Sequence, residues 1–112
     1  MQIVIKYADK KIDGYILEQF NKEVVSFGRQ PDNDIILDLD FISRIHGVFF
    51  MEDGTWYVQD LGSTNGLLVN GVYIDQPYAI KEGDCICIQR KDGEESISIY
   101  ISESEQAKLT TS

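Results

Sequence analysis

Residues Ser26 to Gly71 read SFGRQPDNDIILDLDFISRIHGVFFMEDGTWYVQDLGSTNGLLVNG. Three clusters in this stretch join a backbone-shaping residue to small hydrogen-bonding groups: Gly28-Arg29, Ser43-Arg44-Ile45-His46 and Ser63-Thr64-Asn65-Gly66. The runs between them, Asp34 to Leu37, Val48 to Met51 and Thr55 to Asp60, are rich in branched and aromatic residues and read as strands. Successive antiparallel turns return to one end of a sheet, so the three clusters are expected to meet there as loops. An arginine, two hydroxyls and an asparagine amide together suit a phosphate. The planar cation pairs two oxygens and the neutral donors satisfy the rest.

The flanking sequence keeps the same β character. Gln2 to Tyr7 alternates and reads as a strand, followed by a polar turn at Asp9-Lys10-Lys11. Tyr15 to Phe20 fits a strand or a short helix, its β-formers and the nearby Gly14 favouring a second strand, and Glu23 to Arg29 is a third. Gln30 to Asp34 is a strong loop signal. Gly47 to Glu52 and Thr55 to Leu61 form an expected hairpin through Asp53-Gly54, and Asn70-Gly71 closes a second between Leu67–Val69 and Val72–Ile74. Gln76-Pro77 opens the connection to strands over Asp84 to Arg90 and Ser96 to Ser102. Of Trp56 and Tyr57, one is expected to face the core. With no helix-period segment before Ser102 and no internal repeat, the pattern predicts an all-β sandwich as one domain over residues 1–102. Residues 103–112 read as a polar C-terminal tail or the start of a linker.

The formal net charge of −9 argues against nucleic acid as a partner, because that binding rests on lysines and arginines neutralising phosphates. A phosphorylated ligand must then be held locally. At ~0.15 M salt, charges beyond ~8 Å are largely screened, so Arg29 and Arg44 dominate their own surroundings while the acidic remainder favours neutral or basic flanks. No run approaches the ~18 apolar residues of a membrane span, and the start has no signal-peptide layout. A cytoplasmic protein, without membrane insertion and part of a larger polypeptide, is the expectation. Cys85 and Cys87 share a strand face at ~6.5–7 Å, the edge of what a disulfide tolerates, and lack a nearby histidine to complete a zinc set. They read as reduced thiols.

The order Gly-Arg, Ser-x-x-His, Ser-Thr-Asn-Gly, Asn-Gly resembles a forkhead-associated (FHA) domain, a phosphothreonine-binding module, over roughly Gln2 to Tyr100 with its motif core at Phe27 to Gly71. The resemblance implies an FHA/SMAD-like β-sandwich of two sheets with about eleven short strands. It implies that Arg29 grips the phosphate, that Ser43 and Thr64 contact it, and that Arg44 touches the peptide or the phosphate edge. Asn65 would clamp the peptide backbone. Gly28, His46, Ser63, Gly66 and Asn70 would support the site, with His46 holding Ser43 from behind and Gly66 supplying a positive φ. Leu67 stands where the family often has threonine, at a position expected to pack. The implied partner is a phosphothreonine-containing protein or peptide, with no cofactor, no metal and no turnover. Two rivals belong to other classes: a degenerate scaffold that binds a protein without phosphate, and a small hydrolase, for which His46 has no sequence-evident nucleophile.

Overall fold

Period-two burial sets the architecture. Ile3 and Ile5, Val25 and Phe27, Ile86 and Ile88, and Ile97, Ile99 and Ile101 are buried at alternate positions, and each strand they belong to covers one side of a shared core. The computed structural model describes residues 1–8 and 10–102, so the tail expected over 103–112 lies outside the described residues. Eleven strands are present: β1 (Gln2–Tyr7), β2 (Lys10–Ile16), β3 (Val24–Gly28), β4 (Ile35–Ile36), β5 (Gly47–Glu52), β6 (Thr55–Asp60), β7 (Leu68–Val69), β8 (Val72–Tyr73), β9 (Tyr78–Ala79), β10 (Cys85–Gln89) and β11 (Ser96–Ser102). They form a six-stranded sheet, β2-β1-β11-β10-β7-β8, packed on a five-stranded sheet, β4-β3-β5-β6-β9. All pairings are antiparallel except β3 with β4, where Phe27 lies beside Ile35. The expected sandwich is the observed one.

Both hairpin signals hold. Asp53 and Gly54 have φ of 51° and 80°, and Asn70 and Gly71 have 52° and 86°, the two positive angles of a type I′ turn. Trp56 is buried, its indole N–H donating to Glu18 Oε2 at 3.1 Å, while Tyr57 faces outward. Leu67 is fully buried, as its packing role requires. Burying each of the larger aliphatic side chains contributes ~1.5–3 kcal/mol, so the isoleucines of β1, β10 and β11 carry much of the six-stranded sheet's share of the core.

Two local expectations give way. Of Tyr15 to Phe20 only Tyr15 and Ile16 are strand. β2 runs earlier, over Lys10–Ile16, so that Lys10 and Lys11 are strand and not turn, and Leu17–Phe20 is a 3-10 helix. The Leu17 N–H bonds to Met1 O at 2.9 Å, where β1 begins, so beyond this point the chain has no partner strand and turns inward to bury Leu17. Asn21, in the left-handed region at φ 56°, closes the helix. The second difference is β9. The connection after Gln76-Pro77 contains a two-residue strand, paired to Tyr57 and Val58 of β6, too short to leave a period in the sequence.

Cys85 and Cys87 are free and half-buried on β10. Among the described residues no helix is long and apolar enough to cross a membrane.

Candidate functional site

The strand order brings the three clusters together. β3 and β4 both run toward one end of the sandwich, β5 leaves from it, and β6 returns to it before the chain crosses to β7. The loops at that end are laced by main-chain bonds. Arg29 N–H donates to Ser43 O at 3.0 Å, Gln30 N–H to Arg44 O at 3.1 Å, His46 N–H to Phe27 O at 2.9 Å and Leu61 N–H to His46 O at 3.0 Å. Gly28 makes this lacing possible by its lack of a side chain. A Cβ there would lie 2.3 Å from Arg44 O and 2.9 Å from His46 N. Gly28 is thus required by close approach, not by a special φ.

Arg29 is exposed, and its Nε–H donates to Ile42 O at 3.0 Å. That bond fixes the guanidinium plane and leaves its terminal nitrogens facing solvent. Among the described residues neither Arg29 nor Arg44 takes part in an ion pair. Ser43 Oγ accepts the Thr64 N–H at 3.0 Å, so its own proton remains available to a ligand. Thr64 is exposed beside it. Asn65 Nδ2 donates to Phe41 O at 2.7 Å, tying this loop to the one carrying Ser43 and leaving its Oδ1 and second amide hydrogen.

His46 is fully buried beneath these groups, its ring stacked 6.3 Å from that of Phe27. The Ser43 N–H donates to Nδ1 at 3.1 Å, so Nδ1 is an acceptor and the proton sits on Nε2, which donates to Gly66 O at 2.9 Å. Burial pushes its pKa below 6.5, against the opposing pull of the Gly66 carbonyl and Asp60. The histidine is a neutral bracket between two loops, with both ring nitrogens occupied. It grips the main chain of Ser43, not its hydroxyl.

Ser63 donates its hydroxyl to Asp60 and accepts the Gly66 N–H at 2.9 Å, while Asp60 Oδ2 also takes the Gly62 and Ser63 N–H groups at 3.1 Å each. Gly66 adopts φ 74°, with the Tyr73 ring 3.1 Å from where a Cβ would stand. Asn70 is the one supporting residue set apart from the cluster. Its amide donates to Asp84 Oδ1 at 2.9 Å and its Oδ1 accepts Cys85 N–H at 3.0 Å, bracing the β9–β10 connection.

Two residues of the cluster were not singled out by sequence. Asn33, read only as part of a turn, is 7% exposed, and its Nδ2 donates to both Gln30 O and Arg44 O at 2.8 Å. Asp60, read as a strand end, is the acceptor that shapes Gly62–Ser63. Asn33 reaches Arg44 O across the fold, which no local pattern signals, whereas Asp60 bonds residues two and three positions on, an Asp-x-Gly-Ser turn signal that the sequence carries. Among the described residues no group of three or more His, Cys, Asp or Glu side chains is placed to hold a metal ion.

A β-sandwich that presents a fixed arginine, two hydroxyls and an amide on buried supports belongs to the ligand-docking class. Residues 25–89 match the FHA domain family, and the chain belongs to it. The glycogen accumulation regulator GarA of Mycolicibacterium smegmatis is 38% identical over 73 residues, covering 65% of this chain and 44% of the relative. An oxoglutarate dehydrogenase inhibitor of Corynebacterium jeikeium is 37% identical over 68 residues, 61% of this chain and 45% of the relative. The chain thus spans less than half the length of these relatives. Among solved structures, Mycobacterium tuberculosis EmbR in complex with a low affinity phosphopeptide is 26% identical with a TM-score of 0.69, covering 92% of this chain and 25% of that one. The N-terminal FHA domain of Saccharomyces cerevisiae Rad53p, in complex with a phosphothreonine peptide, shares the fold at a TM-score of 0.67 and 22% identity, with 98% and 99% covered.

Proposed function

We propose that the loop end docks a phosphothreonine-containing segment of a protein partner, in signalling or assembly, without chemical turnover. Arg29 pairs two phosphate oxygens, Ser43 and Thr64 donate to the others, Arg44 adds charge at the edge, and Asn65 clamps the peptide backbone beside the phosphothreonine. The carrying observation is the exposed Arg29 side chain, held at Nε by Ile42 O, on a loop whose Arg29 N–H is bonded to the main chain of Ser43, the residue whose hydroxyl accepts the Thr64 N–H. A binding module is favoured over a hydrolase because His46, the natural base, is buried and spends both ring nitrogens on the backbone. The cytoplasm suits this role, since a kinase must supply the ligand and two free thiols persist there.

The test is an oriented phosphothreonine peptide library, with its unphosphorylated copy as control, titrated against wild type and Arg29→Ala. Wild type is expected to bind only phosphorylated members. A charge-assisted bond contributes ~1.5–3 kcal/mol, so the variant should bind roughly 10- to 150-fold more weakly while remaining folded. Retention of binding within threefold would place the phosphate elsewhere.

A further inference from the structure

The outer face of the five-stranded sheet breaks the usual rule for a solvated sheet surface. On the outer face of the other sheet, β1 and β11 surround Val4 and Tyr100 with Gln2, Lys6, Ser96, Ser98 and Ser102, and the Lys6 ammonium lies over the Tyr100 ring. On this face the register instead aligns Val24, Phe50, Tyr57 and Ala79 in one row across four strands. Phe50 and Tyr57 stack with ring centroids 5.1 Å apart, and Val24 beside them is 51% exposed. A shallow groove runs from this row past Val48 and Gln59 to Leu61, itself 47% exposed. Scattered exposed apolar residues need no explanation, but apolar residues gathered along one groove mark an interaction surface.

The two ends of the strip differ in charge. Leu61 is bonded through its N–H to His46 O, so the strip begins at the phosphate loops with Arg29 and Arg44. At the far end the groove is lined by Glu23, Glu52 and Asp53, and none of its lining residues is basic. Lys22, next in sequence to Glu23, is committed to Asp34 at 2.8 Å. The path along β6 from Leu61 back to Thr55 is roughly 20 Å, the reach of about six extended residues.

We infer that this face receives the flank of the same phosphorylated segment, and that the preferred ligand carries apolar residues next to its phosphothreonine and lysine or arginine about six to eight positions away. The inference rests on the phosphothreonine reading of the loops and extends it to flank selectivity. The apolar row takes the alternate side chains of the extended flank, and Glu23, Glu52 and Asp53 take its basic end. A second copy of this chain does not fit the face, because two acidic rims would meet on molecules of net charge −9.

The probe is a phosphothreonine peptide with a seven-residue flank of alternating leucine and serine ending in Lys-Lys, placed N-terminal or C-terminal to the phosphothreonine. Its controls carry a Gly/Ser flank, or Glu-Glu in place of Lys-Lys. In one placement the Leu/Lys flank should bind about tenfold tighter than the Gly/Ser peptide, and the Glu-Glu version should not. The double variant Val24→Lys/Glu52→Lys, remote from the loops, should abolish that gain and leave Gly/Ser-flank affinity unchanged. Absence of any gain in either placement, or a gain that survives the double variant, overturns the inference. If no phosphorylated peptide binds at all, the loop reading fails separately. The face is then read by amide NMR with the unphosphorylated Leu/Lys peptide at millimolar concentration. Shifts at Val24, Phe50 and Tyr57 sustain the docking surface, and unmoved amides there overturn it.

Discussion

Gly28 and His46 control the site from opposite sides, one by what it lacks and the other by what it holds. Gly28→Ala would force a methyl against the Arg44 carbonyl, and neither partner is a flexible side-chain end that swings away. Overpacking of this kind costs ~1–3 kcal/mol. The expected outcome is that much lower stability by urea unfolding, together with weakened phosphopeptide binding, since Ser43 and Arg44 move with the displaced backbone. Binding unchanged in a folded Gly28→Ala protein would show that the loop spacing is not critical. For His46 the sign follows from its lowered pKa. Below pH 6.5 the unfolded chain gains a proton that the folded protein resists, so stability is complete above that value and falls as pH drops toward the folded pKa. Replacing it in His46→Gln should remove this slope from unfolding curves collected between pH 7.5 and 5, at a lower starting stability. That Arg29, Ser43 and Thr64 lie on loops at one end of the sandwich was legible because their order in the chain is a pattern. Asn33 was not, because Asn in a Pro-Asp-Asn-Asp run reads as a turn-former whether its amide faces water or, as here, clamps Arg44 O from the interior.

At the scale of elements, the turn of the β7–β8 hairpin and the β9–β10 connection form a brace whose Asn70 bonds lie apart from the binding loops. Asp84 is buried. Burial pushes its carboxyl up, but bonds from Asn70 Nδ2, Lys81 N–H and the Lys81 ammonium together bring it below 3.8. Asn70→Ala would remove one of those donors and the acceptor for Cys85 N–H. A loss of ~1–3 kcal/mol is expected, the cost of a buried group left unsatisfied, with phosphopeptide affinity unchanged in the folded variant. Calorimetric titration beside thermal unfolding separates the two effects. A parallel fall in affinity would return Asn70 to the support of the site. Long strands and I′ turns were readable in the sequence since each carries a period or a turn chemistry of its own. The Tyr15–Phe20 segment was misread because β-formers continue past the point where β1 stops offering a partner. Pairing, not propensity, ends that strand.

For the whole molecule the question is how an acidic protein of net charge −9 captures a doubly negative phosphate. The molecule measures 45 × 29 × 27 Å, and at ~0.01 M salt the screening length is ~30 Å, so an approaching phosphopeptide senses the whole charge. At ~0.15 M that length shrinks to ~8 Å and only the loop end, with Arg29 and Arg44 outside any described ion pair, remains in view. Electrostatic effects of this range act on association more than on dissociation. Stopped-flow association of a phosphothreonine peptide free of lysine and arginine is therefore expected to accelerate several-fold as salt rises from ~0.01 to ~0.15 M. A peptide with a basic flank should show the reverse, because the acidic remainder then attracts it and salt screens the attraction. Dissociation rates of the lysine-free peptide should change much less, being set by contacts within a few ångströms of Arg29. Deceleration of the lysine-free peptide over the same range would mean that the two arginines govern the field well beyond their own loops, and that the acidic surface has no part in selecting the ligand.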